Sequence, residues 1–166
     1  MWPTVRNLIA FQAAWLALVL SAAAMMPLYG VIAALAVVVA HLWRYPHEAK
    51  LLALVTVLGT LWETAFAALG LVSFTSGTLY AHGTSFWFIA LWAVFATTLN
   101  HSLNFLRRHW AVAVGFGLVG GPLAFWAGAR LGAITLEPTA YPVLAIGWAI
   151  LTPVCLRLAQ PYLKKA

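Results

Sequence analysis

Residues 86–106 read FWFIALWAVFATTLNHSLNFL, an apolar run long enough to cross a membrane, in which polar residues recur at helical intervals. An α-helix that spans a bilayer needs about 20 mostly apolar residues. The polar side chains of this run and its end fall at i, i+3, i+4, i+7 and i+11: Thr97, Asn100, His101, Asn104 and Arg108. This spacing predicts that all five share one helix face. Because unpaired polar groups are costly in hydrocarbon, we expect that face to point into the bundle, a cavity or a ligand.

The rest of the chain also has the composition of a membrane protein. Of its 166 residues, 64% are hydrophobic and 7% are charged, whereas about a quarter of the residues of a soluble domain are charged. The pattern predicts an all-α integral membrane protein, a six-transmembrane-helix bundle in which residues 1–166 form a single domain. Its spans are expected near residues 5–24, 28–43, 51–70, 86–106, 111–130 and 140–158.

The basic residues predict the orientation of these spans. With both termini in the cytoplasm, only Arg130 of the nine basic residues lies outside, which agrees with the excess of lysine and arginine in cytoplasmic loops. The others lie inside: Arg6, Arg44, Lys50, Arg107, Arg108, Arg157, Lys164 and Lys165. Topology and anionic lipid then account for the formal net charge of +6, and no nucleic-acid partner is expected.

Polar residues from several spans are predicted to meet in the cytoplasmic half of the membrane. At a rise of about 1.5 Å per residue, the lower part of the fourth span reaches the depth of polar residues in the first, second and sixth spans, including Thr152. We predict a cytoplasm-facing ligand pocket lined by Asn7, Gln12, His41, Thr97, Asn100, His101 and Asn104. The alternative is that these side chains only form hydrogen bonds between helices.

Glu63 is the only acidic residue well inside a predicted span. Three interpretations remain open. Glu63 could pair with Arg130, for which Glu137 competes; it could be a proton or cation site; or it could be a neutral acid bonded to a helix backbone.

The fifth span carries a row of small residues that predicts close helix packing. Gly117, Gly121, Ala124, Gly128 and Gly132 follow one another at intervals of four, three, four and four, and two of the steps have the GxxxG form. This face would pack within the bundle, or it would support a homodimer or a larger membrane complex. Its principal members are Gly117, Gly121, Gly128 and Gly132.

The histidines do not predict a metal site. No two of them stand at i+3 or i+4, the spacing expected of membrane di-iron enzymes, and Cys155 is the only cysteine. Haem ligation by His41 and His101 is a minor possibility, because they are expected at similar depth on different spans. We therefore predict no metal and no cofactor.

Several segments resemble a family of small bacterial inner-membrane proteins known only as a domain of unknown function. They are residues 91–92 and 95–103, the Gly-Gly-Pro-Leu-Ala of 120–124, and 127–133, with Asn7 and Trp62-Glu63 also fitting. The resemblance implies a proteobacterial inner-membrane location. It also implies genes beside cyclopropane-fatty-acid-synthase-like and flavin amine-oxidase-like enzymes, hence a role in membrane-lipid modification or envelope stress.

Three functions are consistent with these observations. The first is binding or transport of an amphipathic, lipid-like molecule, with membrane lipid as the partner. The second is an enzyme or accessory subunit in fatty-acyl modification, with His101 as candidate acid or base because imidazole titrates near neutral pH. The third is a structural subunit of a larger membrane complex. The sequence does not choose among them, nor does it identify the ligand.

Overall fold

The computed structural model describes residues 2–80 and 83–163. These residues form six α-helices and a two-stranded antiparallel ribbon, with short 3₁₀ helices at Pro46–Glu48, Asn104–Arg108 and Gln160–Tyr162. The α-helices are α1 (Trp2–Ala23), α2 (Pro27–Arg44), α3 (Ala49–Ala68), α4 (Phe86–Ala96), α5 (Trp110–Arg130) and α6 (Ala140–Ala159); the strands are β1 (Val72–Phe74) and β2 (Ile134–Leu136).

Five of the six helices are long and apolar enough to cross a membrane, and α4 is the exception. The predicted all-helical character is confirmed, and the five long helices begin and end within a few residues of five of the predicted spans. The prediction of one helix over 86–106 is wrong, because α4 ends at Ala96 after 11 residues. At about 1.5 Å per residue, α4 covers roughly half of a hydrocarbon core about 30 Å thick.

Basic side chains collect at one end of the helix bundle, which we call the basic end. It contains the start of α1, the link between α2 and α3, the 3₁₀ helix Asn104–Arg108 and the end of α6, where Arg157 lies 5.5 Å from the Trp110 ring. We call the opposite end, which carries β1 and β2, the ribbon end. Arg130 lies at the ribbon end, as the sequence predicts, whereas Lys164 and Lys165 lie outside the described residues.

The helices pack as two hairpins around α4. The first hairpin is α1 with α2, the second is α5 with α6, and α4 contacts α1, α2 and α3. The side chains that α4 buries in the bundle include large aromatic rings. Trp87 and Trp92 are almost completely buried, and Trp92 stacks on Trp148 of α6 with 5.1 Å between the ring centres. Such pairs add specific geometry to the burial of large apolar surfaces.

The glycine face of α5 packs inside the chain. A Cβ atom at Gly117 or Gly121 would collide with Trp148, and at Gly117 also with Thr152. By contrast, Gly115 faces open space. Gly132 instead ends the turn after α5 with a φ of 86°, a conformation that suits glycine. At Gly117 and Gly121 the close approach predicted by the sequence is therefore made with α6.

The ribbon joins the link between α3 and α4 to the link between α5 and α6 at the ribbon end of the bundle. Val72 pairs with Leu136 and Phe74 with Ile134, and the Ser76 hydroxyl donates to the Ala22 carbonyl oxygen at the end of α1 (2.8 Å). The segment of residues 71–85, which links α3 to α4, is thus partly a strand. Residues 81–82 of that segment lie outside the described residues.

The α5–α6 contact gives a stability prediction. Gly117→Leu should lower the free energy of unfolding by about 1–3 kcal/mol, because added methylenes overpack a filled interface, whereas Gly115→Leu should leave it nearly unchanged. Unfolding in detergent can be followed by reaction of a thiol-reactive fluorophore with Cys155, the only cysteine, which is buried. Equal melting temperatures for the two variants would contradict the packing.

Candidate functional site

The α4 helix ends where two threonines interrupt its hydrogen-bond pattern. The Thr97 hydroxyl donates to the Val94 carbonyl oxygen (2.7 Å) and the Thr98 hydroxyl to that of Phe95 (2.6 Å). The backbone N–H groups of Thr97 and Thr98 donate to the same carbonyl oxygens, those of Val94 and Phe95 respectively. Each acceptor lies three residues earlier, whereas in an α-helix it would lie four residues earlier. Local bonds from threonine side chains compete with α-helical geometry. Residues 97–103 consequently form a series of turns, which we call the turn segment.

Asn7 of α1 fixes this turn segment. Its Nδ2 donates to the Thr97 carbonyl oxygen (3.1 Å), and its Oδ1 accepts from the Ser102 hydroxyl (2.7 Å) and backbone N–H (3.3 Å). These bonds satisfy backbone groups that the end of α4 leaves without helical partners. The side-chain amide of Asn7 therefore bonds to the turn segment, and its role as a ligand contact stays a prediction.

A buried carboxylate, Glu48, joins two predicted site residues from different parts of the chain. Its Oε2 lies 2.9 Å from His41 Nε2, and its Oε1 lies 3.3 Å from His101 Nε2. Asn100 donates from Nδ2 to the same Oε1 (3.1 Å). The Glu48 side chain is only 3% exposed and that of His41 6%. The prediction that His41 and His101 lie at similar depth is confirmed by these contacts.

Arg107 and Tyr45 complete the surroundings of Glu48. Arg107 donates to Asn100 Oδ1 and to the Leu99 carbonyl oxygen (3.4 Å), which orients the Asn100 amide toward Glu48. The Tyr45 ring lies 4.4 Å from the His101 ring, centre to centre. We call His41, Glu48 and His101, together with Asn100, the Glu48 cluster. It lies at the basic end of the bundle.

Local sequence explains how Glu48 reaches the bundle interior. His41 occupies the last turn of α2, and Pro46 starts a 3₁₀ helix that ends at Glu48 and leads directly into α3. Proline suits a first helical position because its φ is fixed and it lacks an N–H. The reversal places Glu48 back against the end of α2. Sequence reasoning missed Glu48 because it stands in a short link between spans.

A second feature is a lateral cleft between α1 and α5. These two helices have no extensive contact with each other, and a cavity of about 590 Å³ lies between them, with α4, the turn segment and α6 as its floor. Its walls are largely aromatic and aliphatic. A few polar groups also line it: Gln12, Thr98, Ser102 and Thr152.

The turn segment separates the two features. Thr98 and Ser102 line the cleft, whereas Asn100 and His101 contact Glu48 on the side of α2 and α3. The structure thus divides the predicted pocket. Gln12 belongs to the cleft, Asn7 and Thr97 bind each other, and Asn104 is exposed.

The predicted partnership of Glu63 with Arg130 does not form. Both carboxylate oxygens of Glu63 are buried and have no hydrogen-bond partner within residues 2–80 and 83–163, and Arg130 instead lies 5.9 Å from the Trp126 ring. Glu63 stands one turn beyond Gly59, against which the Trp92 ring packs, in the aromatic interior between α3 and α4. The interpretation of Glu63 as a proton or cation site stays a prediction.

The haem interpretation also stays a prediction. In the structure the carboxylate of Glu48 stands between His41 and His101, and their ring centres are 5.1 Å apart. Both imidazoles therefore already face a carboxylate.

Comparison with known proteins identifies a family. Residues 4–154 match the family model DUF2878, described as a protein of unknown function. No curated protein and no solved structure matches the chain.

Glu48 should contribute strongly to stability. Glu48→Ala leaves His41 and Asn100 without the carboxylate they share and removes the charge beside His101, and unsatisfied buried polar groups should lower the free energy of unfolding by about 3 kcal/mol. Glu137→Ala, at an exposed position near the ribbon end, should change it by less than about 0.5 kcal/mol. Thermal unfolding followed at Cys155 would measure both variants, and equal losses would show that the Glu48 cluster does not hold the basic end together.

Proposed function

We propose that the chain, which belongs to the DUF2878 family, binds one amphipathic, lipid-like molecule in the lateral cleft between α1 and α5. The observation that carries this proposal is the cleft itself. Its volume of about 590 Å³ lies within the range of about 300–1,000 Å³ typical of small-molecule sites.

The walls of the cleft favour an acyl chain. Apolar side chains that remain exposed line it from several elements, among them Leu8 of α1, Phe105 after the turn segment, and Phe116 and Leu123 of α5. Contiguous exposed apolar surface marks a binding site or a surface that faces lipid. In a bundle whose helices can cross a membrane, the gap between α1 and α5 is where the surrounding lipid would reach the interior.

The polar groups of the cleft are few and lie toward the basic end. Thr152 Oγ1 is buried and has no hydrogen-bond partner in the described part of the chain, and the exposed residue Gln12 lines the cleft from α1. A few placed polar groups in a mostly apolar cavity orient a ligand. Ester or hydroxyl oxygens near a lipid head group would suit Thr152 and Gln12.

The cleft favours the first of the functions considered from the sequence and changes its location. His101, the candidate acid or base of the enzymatic alternative, faces Glu48 and is not among the residues that line the cleft. Gly117 and Gly121, the candidate surface for a larger complex, are covered by α6. We propose binding as the shared first step of any carriage or modification of the lipid.

The cellular setting belongs to the same proposal. We propose that the protein lies in the inner membrane of a bacterial cell, with the basic end facing the cytoplasm and both termini inside. Genes encoded beside those of cyclopropane-fatty-acid-synthase-like enzymes would fit a protein that binds an acyl chain.

Filling the cleft should remove the bound lipid. Ala124→Trp adds a large side chain in the cleft, whereas Val119→Trp adds the same side chain to an exposed position of α5 outside it. After purification in mild detergent, native mass spectrometry should find about one lipid per chain in the unchanged protein and in Val119→Trp, and at least tenfold less in Ala124→Trp. Absence of retained lipid from the unchanged protein, or equal retention by both variants, would overturn the proposal.

A further inference from the structure

We infer that His41, Glu48 and His101 form a binding site for one divalent transition-metal ion. This inference does not depend on the lipid proposal, because the three side chains lie on the other side of the turn segment from the cleft. Each offers one ligand atom, and these atoms all lie within 4.8 Å of one another.

The spacing of the donor atoms suits a metal. Bonds from a zinc ion to histidine nitrogen or carboxylate oxygen are about 2.0–2.2 Å long, so neighbouring donor atoms around the ion lie about 3–3.5 Å apart. In the structure His41 Nε2 is 2.9 Å from one oxygen of Glu48, and His101 Nε2 is 3.3 Å from the other. Each imidazole nitrogen therefore lies at about the required distance from one oxygen of the carboxylate, and one ligand atom from each of the three residues lies within 4.8 Å of the other two.

His101 provides the second, independent observation. Its Nε2 atom is buried but has no hydrogen-bond partner among the residues that the structure describes, because the 3.3 Å approach to Glu48 is not aligned for a hydrogen bond. A buried polar nitrogen without a partner is costly. A metal ion between His101, His41 and Glu48 would accept the lone pair of this nitrogen and remove that cost.

Hydrogen bonds around the three donors resemble the outer shell of a metal site. Asn100 donates to Glu48 Oε1, and Arg107 holds the oxygen of the same amide and the Leu99 carbonyl oxygen. Such groups fix the orientation of a ligating carboxylate and affect metal affinity by about 10–100-fold. Arg107 thus acts on Glu48 through Asn100, whose amide it orients.

The donor set indicates the class of metal. Two imidazoles and one carboxylate suit Zn²⁺, Fe²⁺ or Co²⁺, whereas Mg²⁺ and Ca²⁺ prefer all-oxygen sites. Three protein ligands also leave at least one coordination position for water or another small ligand, as in catalytic metal sites. Glu48 and His101 carry only 3% and 15% exposed side chains, so a bound ion would be largely enclosed.

Co²⁺ titration tests the site directly. The full chain, purified in detergent with a tag that lacks histidine and treated with a chelator, should bind one Co²⁺ per chain and develop visible d–d absorption that Zn²⁺ abolishes by competition. His101→Ala and Glu48→Gln should each weaken Co²⁺ binding at least tenfold, and Asn100→Ala about tenfold. The exposed histidines provide matched controls: His47→Ala and His109→Ala should bind as the unchanged protein does.

If the variants fail to fold, measurements on the unchanged protein alone show whether the chain binds the metal ion. Zn²⁺ in excess should raise its melting temperature, measured by Cys155 labelling, because an ion that binds only the folded state stabilises it, whereas Mg²⁺ should not. Failure to bind Co²⁺ stoichiometrically, or binding that His47→Ala removes and His101→Ala does not, would overturn the inference. Lipid retention measured on the same chelator-treated sample tests the cleft separately.

Discussion

Polar backbone groups must find partners wherever a helix stops inside an apolar bundle, and this requirement shapes the molecule around Ala96. Membrane interiors tolerate irregular backbone only where protein or water satisfies it. Here the hydroxyls of Thr97 and Thr98 and the amide of Asn7 supply much of the compensation. Because the chain leaves the helical path at this point, neighbouring side chains point in opposite directions, Asn100 toward Glu48 and Ser102 toward α1.

Glu48 and the lateral cleft owe their separation to that same turn segment. Only one residue, Leu99, lies between Thr98, which lines the cleft, and Asn100, which binds Glu48. A change of backbone in this segment would alter both features at once. The two proposed ligands, an amphipathic lipid and a divalent metal ion, would therefore share a single wall made of a few turns.

The sequence was sufficient to predict the helical membrane-type fold, because the apolar runs of span length and the positions of lysine and arginine can be read directly from the order of the residues. It predicted the meeting of His41 with His101 from depth. It could not predict the end of α4, since threonine hydroxyls also bond to backbone carbonyl oxygens within helices that continue. Glu48 was missed for another reason: its burial depends on a 3₁₀ turn from Pro46 that reverses the link. The cleft could not be foreseen either, because it arises where α1 and α5 fail to pack, a property of the assembled helices.

The small ribbon has a consequence for how the chain is assembled. Thr75 donates from its hydroxyl to the carbonyl oxygen of Gly132, 57 positions later in the chain, and β1 pairs with β2 across a similar separation. During synthesis from the N-terminus, β1 must wait for its pairing partner until α5 has been made and inserted. Closure of the ribbon is thus a late event in biogenesis, and it joins the hairpin of α5 and α6 to the helices that precede it.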